Sequence, residues 1–451
     1  MDARVFRIEI PDGRPPSETL AALPPGGSPH LLDPLGPGGW GTGPGGDGPG
    51  IGLLALEPEI SFTGGVEALR NARRWLQGSR GDGPLAAVLF GSIDYELGAE
   101  LYGGRVPSPP GPRTAPVQLA GFRAVYRYDW RTGTAEVVGS SREAVDRLTL
   151  QVSGATARSQ IACSSLPRPV ARSSDVEYAR SIERVKAYIR AGDVYQVNLS
   201  RRLDATAPDA AGLRPLFGAL AARAGAPFSA YLETPGRTVL SASPECFLRV
   251  AGNRVETCPI KGTRPRGQTP AADAILRKEL ETSAKDRAEH VMIVDLERND
   301  LGRVCETGSV RVTRLCEPRA FSDVHHLVSC VEGRLLDARD WPGLLEAMFP
   351  GGSITGAPKL RAMQIIAELE PVPRGVYTGA IGVIDSAGGV DLSVAIRTAV
   401  ASGGALHLHL GGGIVADSDA ELELRETRDK GRAFVRSWGF EEQARMPGQH
   451  S

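Results

Sequence analysis

The stretch from Val194 to Leu203, VYQVNLSRRL, alternates Tyr195, Val197 and Leu199 with Gln196, Asn198 and Ser200. A period of two residues marks a strand that turns one face to the core. Comparable runs occupy residues 238–242, 254–258, 379–384, 392–400 and 406–410, with weaker ones at 86–90 and 122–128. Helical spacing interrupts them. Val176, Ala179, Ile182, Val185 and Ile189 share a face behind a capping Asp175, and Gly192 ends the pattern. Further helices are expected over 283–299, 358–369 and 419–438. Hairpin-like strand runs with scattered helices predict an α+β fold rather than a regular βαβ repeat.

The 451 residues suit two domains or one large one. Residues 1–152 are glycine-rich, and 23–52 read as loop because Gly and Pro there break both periods. A Ser/Ala/Pro-rich linker is expected at 153–174, a densely patterned region at 175–440 and a flexible tail at 441–451. Basic and acidic residues number 52 and 53, so no global field recruits nucleic acid or an anionic membrane. No run approaches 18 apolar residues, and charges interrupt the N-terminus, so neither a membrane span nor a signal peptide is expected. Six cysteines without CxxC spacing read as buried small hydrophobes of a reducing cytoplasm, not as a disulfide framework or zinc site.

Two helices place charges on apolar faces. Glu289 shares a face with Met292, Ile293 and Leu296 behind a Ser283/Asp286 cap. Glu426 and Lys430 stand i,i+4 on a face with Leu422, Ala433 and Phe434, behind a Ser418/Glu421 cap. A surface ion pair and a solvated carboxylate explain these residues. So would two carboxylates converging on a hard cation such as Mg²⁺, which spacing alone does not reveal. The glycines of FPGGSITGAPK, followed by Pro358 in the first helical turn, and Gly411–Gly413, between a strand and a helix, are tight turns or anion cradles. Neither has a nucleotide-binding spacing, and no HExxH, GxSxG or GxCxG occurs. Arg397, in the 392–400 strand, has the chemistry of a bidentate carboxylate ligand or is an edge charge. Lys261, in PIKGTRPRG, is either a solvated loop lysine or an amine held in a dry cleft.

SASPECF, PIKGTRPRG, DRAEHVMIVDLERNDLGRV, HHLVS, FPGGSITGAPK, VYTGAIG, AIRT, GGGIVADSD and ETRDK, in that order, resemble the signature blocks of the chorismate-utilising enzymes. The resemblance is dense over 175–440 and loose before it. It implies a four-layer α/β/β/α sandwich with two large, mainly antiparallel sheets. It also implies Glu289 and Glu426 as Mg²⁺ ligands, and Ser353, Tyr377, Arg397, Gly413 and Lys430 as the substrate-binding set. Glu245 would be the general acid at the C4 hydroxyl, and His326 would face the reacting ring.

Within that resemblance, isochorismate and salicylate synthases carry a lysine base where this chain has Gln196, so water addition is not expected. Anthranilate synthases usually have a small residue at position 261. Aminodeoxychorismate synthases carry the lysine, thought to attack the ring as a nucleophile, which requires a neutral amine. The implied activity is therefore that of an aminodeoxychorismate synthase component I, feeding p-aminobenzoate and folate. The alternatives are anthranilate synthesis and an inactive regulatory homologue. With no glutaminase nucleophile motif, ammonia is expected from a separate glutamine amidotransferase subunit. Members that bind tryptophan often show Leu-Leu-Glu-Ser; Leu31-Leu32-Asp33-Pro34 departs from it, which argues against that site.

Overall fold

The computed structural model describes residues 5–439, apart from 37, 44, 80–82, 108, 110, 112–113, 156–168 and 322–323. Most of the expected linker, the tail and Cys163 lie outside the described residues.

The strand that opened the sequence reading forms as Gln196–Thr206, with Val197 and Leu199 buried. It pairs antiparallel with Ala405–Ile414 inside a sheet of twelve strands. A second sheet has ten strands, among them Ile260–Pro265, Val324–Arg334, Arg254–Cys258, Cys246–Ala251, Val390–Val394 and Ala380–Asp385. Both sheets draw strands from the first 150 residues as well as the rest.

Three apolar layers stack these elements. Leu32, Trp40, Phe90, Phe228, Val328 and Ile381 fill the space between the sheets. Leu148, Phe217, Leu408 and Phe434 seal helices to the outer face of the larger sheet. Leu69, Val294, Leu344 and Leu392 do the same for the smaller one. This is the expected four-layer α/β/β/α sandwich. Burying two sheets back to back leaves one face of each for helices to cover. No helix among the described residues is long and apolar enough to cross a membrane.

Several local expectations give way to tertiary pairing. Residues 392–400 do not make one strand. Val390–Val394 belongs to the smaller sheet and Thr398–Ser402 to the larger, and the chain changes sheets at Arg397, whose φ is +50°. Gly411–Gly413 are not a turn but the end of the strand Ala405–Ile414, opposite Ser200, Leu199 and Asn198. Residues 23–52 contain an interior strand, His30–Asp33, held between Phe228–Thr234 and Ile51–Ala55. The 122–128 run is divided at Arg123 between Val117–Phe122 and Ala124–Asp129.

The helix expected at 283–299 runs over Ala284–Gly302, with Ser283 accepting the Asp286 N–H as its cap. Elsewhere the caps shift by one residue. Ser174, not Asp175, caps Asp175–Arg190 with a full capping box, and Asp419, not Ser418, caps Ala420–Ser437. Pro358 is itself the N-cap of Lys359–Leu369 rather than its first residue. The cysteine reading needs a correction too. Cys246, Cys305 and Cys316 are buried and free, but Cys258 and Cys330 form a disulfide. Thr257 lies opposite Val331 on adjacent strands, so the neighbouring cysteines meet on one face.

Candidate active site

Lys261 leads the chain into the site. It lies in the strand Ile260–Pro265, opposite Leu327, and is only partly exposed. Its Nζ donates to the Ser353 carbonyl at 3.0 Å. Ser353 sits in the 3-10 turn Gly352–Ile354, and its Oγ donates to Glu245 Oε1 at 2.5 Å. One short turn thus ties the amine to the carboxyl.

Glu245 is 4% exposed, and burial pushes its pKa up to about 7 against the opposing Ser353 hydrogen bond and Lys261 charge. Burial likewise lowers the Lys261 pKa, opposed by Glu245 and Glu289 and aided by Lys430. Both shifts move the pair toward its neutral forms, an acid that can donate and an amine with a lone pair.

His326, on Val324–Arg334, is 4% exposed. Its Nδ1 lies 3.0 Å from the Gly262 carbonyl and 3.1 Å from Thr263 Oγ1. A carbonyl only accepts, so Nδ1 carries the proton. Burial and then the Arg397 cation hold the ring pKa down at about 3, so the imidazole is neutral. Its Nε2 lone pair faces the Arg397 guanidinium at 3.5 Å. The left-handed backbone at Arg397, which non-glycine residues seldom adopt, lies at the point where the chain passes between sheets.

The two carboxylate helices share one lysine as a neighbour. The Lys261 charge acts on both Glu289 and Glu426, which come from Ala284–Gly302 and Ala420–Ser437. Lys430 Nζ binds Glu426 Oε1 at 2.7 Å and the Gly411 carbonyl at 2.8 Å. The ion pair of the simpler reading is therefore present, with the Lys430 side chain 30% and the Glu426 side chain 48% exposed. Lys430 is the largest influence holding Glu426 below the usual carboxylate range, whereas burial raises Glu289.

A third carboxylate, Glu423, was missed. Burial and Glu426 raise it, and Ser418 Oγ donates to its Oε1 at 2.7 Å. Its place three residues before Glu426 on one helix was the available signal. Glu423, Glu426 and Lys430 crowd bare backbone at Gly412, where an added Cβ would lie 3.1 Å from Glu423 Oε2, 3.8 Å from Glu426 Oε1 and 3.8 Å from Lys430 Nζ.

Gly411 and Gly413 point to the other face of that strand. A Cβ at Gly413 would come within 2.5 Å of Gln196 Nε2 and 3.4 Å of Lys261 Nζ. One at Gly411 would meet Tyr377 Oη at 2.8 Å. Tyr377 is buried and stacks on His409 at 5.2 Å.

Beneath the site, the buried Arg374 binds Glu370 Oε1 and Oε2 at 2.7 and 2.9 Å, the Asn198 carbonyl at 2.6 Å and the Ile354 carbonyl at 3.1 Å. It locks the strand to the glycine-rich turn. Glu297, also unforeseen, accepts from Gly352 N at 2.9 Å and fixes the other side of that turn. Hydrogen bonds and charge interactions thus link Lys261 to Ser353, Glu245, Glu289 and Glu426, Lys430 to Glu426, and His326 to Arg397, with Gly413 beside Lys261 and Tyr377 beside Gly411. Glu423, Arg374 and Glu297 adjoin these residues through Gly412 and the 3-10 turn.

Comparison with known proteins adds the family. A family model described as chorismate binding enzyme matches residues 58–436. Anthranilate synthase component 1 of Streptomyces coelicolor is 47% identical over 263 residues, 58% of this chain and 51% of that protein. Aminodeoxychorismate synthase component 1 of Klebsiella aerogenes is 41% identical over 359 residues, 77% of this chain and 76% of that protein. The chain spans about half the length of several of the curated relatives it matches. The crystal structure of anthranilate synthase component I from Streptococcus pneumoniae superposes with a TM-score of 0.76 at 28% identity, covering 86% of this chain and 92% of that one. With a family model spanning most of its length and a matching sandwich, the chain belongs to the chorismate binding enzyme family.

Proposed function

We propose that the chain is the synthase component of an aminodeoxychorismate synthase, converting chorismate and ammonia to 4-amino-4-deoxychorismate and water. The observation that carries this reading is the line of hydrogen bonds from the Lys261 amine, whose basicity burial lowers, through Ser353 to the Glu245 carboxyl, whose pKa burial raises to about 7.

In the proposed reaction Lys261 Nζ adds to ring C2, the π electrons shift, and the C4–O bond breaks. Glu245 gives its proton to the departing hydroxide, which leaves as water. Ammonia adds at C4, the electrons shift back, and the C2–Nζ bond breaks to return a neutral lysine. The new ammonium group returns its proton to Glu245. His326, neutral, neither donates nor takes charge, and with Arg397 it borders the ring. Arg397 and Lys430 offer cations to the substrate's carboxylates, with Ser353, Tyr377 and Gly413 lining the same cleft.

Glu289, Glu423 and Glu426 would hold Mg²⁺. An all-oxygen donor set suits it, and the mutual repulsion and burial that raise Glu289 and Glu423 are relieved by a cation. When bound, the ion supplies positive charge to a substrate carboxylate. Ammonia would come from a glutamine amidotransferase partner, consistent with relatives named component 1.

Anthranilate synthesis is the second reading, favoured by relatives of that name at up to 50% identity. Incubation with chorismate, Mg²⁺ and ammonium, with products identified by mass, separates the two. Aminodeoxychorismate supports the proposal, and anthranilate with pyruvate overturns it. Lys261→Ala should abolish the amino product while chorismate still binds. An unchanged rate would remove the nucleophile.

A further inference from the structure

Cys258 and Cys330 meet across the strands Arg254–Cys258 and Val324–Arg334 and are joined as a disulfide. Cys246 stands opposite Cys258 on its other side, in the strand Cys246–Ala251. All three belong to the apolar layer between the sheets, so the three side chains form one row across three strands. Glu256, two residues before Cys258, turns to the same face and is 1% exposed. A carboxylate oxygen of Glu256 and the sulfurs of Cys258 and Cys330 lie within 4.8 Å of one another. The Glu256 charge also acts on Cys246. Backbone holds the carboxylate in place, since the Gly45 N–H donates to its Oε2 at 2.8 Å. No CxxC spacing marks these cysteines in the sequence, because strand pairing rather than spacing brings them together.

We propose that this row, once its disulfide is reduced, binds a thiophilic divalent cation of the zinc class through the thiolates of Cys258 and Cys330 and the carboxylate of Glu256, with Cys246 placed for the fourth position. The site is independent of the function proposed above. An external dithiol supplies the reduction. Two electrons pass to the disulfide, the dithiol closes to its own disulfide, and Cys258 and Cys330 take up its two protons. Those protons leave again as the cation binds. Sulfur and oxygen donors around a four-coordinate zinc ion sit about 3.5–3.8 Å apart, given bond lengths of about 2.0–2.3 Å. Side-chain rotation brings the present group to that spacing once the sulfurs part. Two thiolates select against Mg²⁺, which prefers oxygen, so this site and the carboxylates Glu289 and Glu426 take different ions. The Arg249 guanidinium, whose charge acts on Cys246 and Glu256, offsets the excess of negative ligands. Burial pushes the Cys246 thiol pKa up and so keeps it from attacking the neighbouring disulfide, which stays closed until an outside reductant opens it.

The test uses the full chain, reduced with a phosphine, which becomes its oxide as water supplies the thiol protons, and then desalted without oxygen. Cobalt(II) chloride alone is titrated in, because thiolate-to-cobalt charge-transfer absorption in the near ultraviolet reports sulfur ligands and is silent for carboxylate sites. One equivalent should bind with that band, zinc chloride should abolish it, and unreduced protein should lack it. Cys258→Ser and Cys330→Ser should lose the band, and Glu256→Gln should weaken cobalt binding at least tenfold. Cys305→Ser, at a buried free cysteine in the outer apolar layer of the smaller sheet, should keep both. No band in the reduced wild type, or an undiminished band in Cys258→Ser, overturns the site. Where a variant fails to fold, alkylation of the reduced wild type decides instead. Zinc chloride should slow iodoacetamide modification of Cys258 and Cys330 at least tenfold, read by peptide mass, and equal rates with and without zinc overturn the site.

Discussion

Replacing Glu245 by Gln should make the protein more stable and nearly inactive, and the pH dependence of the gain is its signature. A carboxyl whose pKa rises on folding, here from an ordinary 4.5 to about 7, costs stability as the medium becomes alkaline. Below pH 4.5 both states are protonated and nothing is lost. Between 4.5 and 7 the unfolded chain ionises while the folded one does not, and the loss grows by about 1.36 kcal/mol per pH unit to about 3.4 kcal/mol, then levels off. At 4% exposure little solvent screening reduces this figure. Glutamine keeps an oxygen for the Ser353 hydroxyl and has no charge to bury. The stability gap between variant and wild type should therefore widen by about 2 kcal/mol from pH 5.5 to pH 8, read from urea midpoints at each pH. Turnover should fall by about 10²- to 10⁴-fold, the range for loss of a positioned acid. The wild-type rate should decline above about pH 7. Parallel stability curves at the two pH values would show that the buried carboxyl is not held neutral and would remove it as the acid.

The glycine strand offers a matched pair. Gly413→Ala presses on the mobile end of Gln196 and on Lys261, so activity should fall at least tenfold with little change in melting temperature. Gly411→Ala presses on the Leu199 carbonyl at 2.6 Å and should cost about 1–3 kcal/mol of stability, seen in denaturant midpoints. Arg374→Met strands Glu370 in the interior and should destabilise by about 3–5 kcal/mol by the same measurement. Glu289→Gln and Glu426→Gln should each raise the Mg²⁺ concentration for half-maximal rate at least tenfold, and an unchanged activation curve would refute the metal assignment.

How far the sequence reveals such a site depends on whether the deciding contact is local. Val197 and Leu199 alternate with Gln196 and Asn198, and the strand forms where the period of two places it, because burial of one face is a local rule. Arg397 defeats that rule. Its neighbours are strand-like on both sides, yet they pair in different sheets, Val390–Val394 between Cys246–Ala251 and Ala380–Asp385, and Thr398–Ser402 between Arg237–Ser243 and Ala405–Ile414. Gly411–Gly413 likewise have turn composition and strand structure, because what they need is room beside Gln196 and Tyr377 rather than freedom in φ. The ordered motifs point to Lys261 and Glu245 through resemblance, but not to their ionisation. Lys261 shows why. Nothing in PIKGTRPRG tells a solvated lysine from a desolvated one. The difference is made by Ser353, 92 residues further on, whose carbonyl takes the amine and whose hydroxyl takes the acid. The chemistry of Lys261 and Glu245 is therefore a property of the turn between them, and substitutions that move that turn, at Arg374 or Glu297, should disturb catalysis without touching either reactive group.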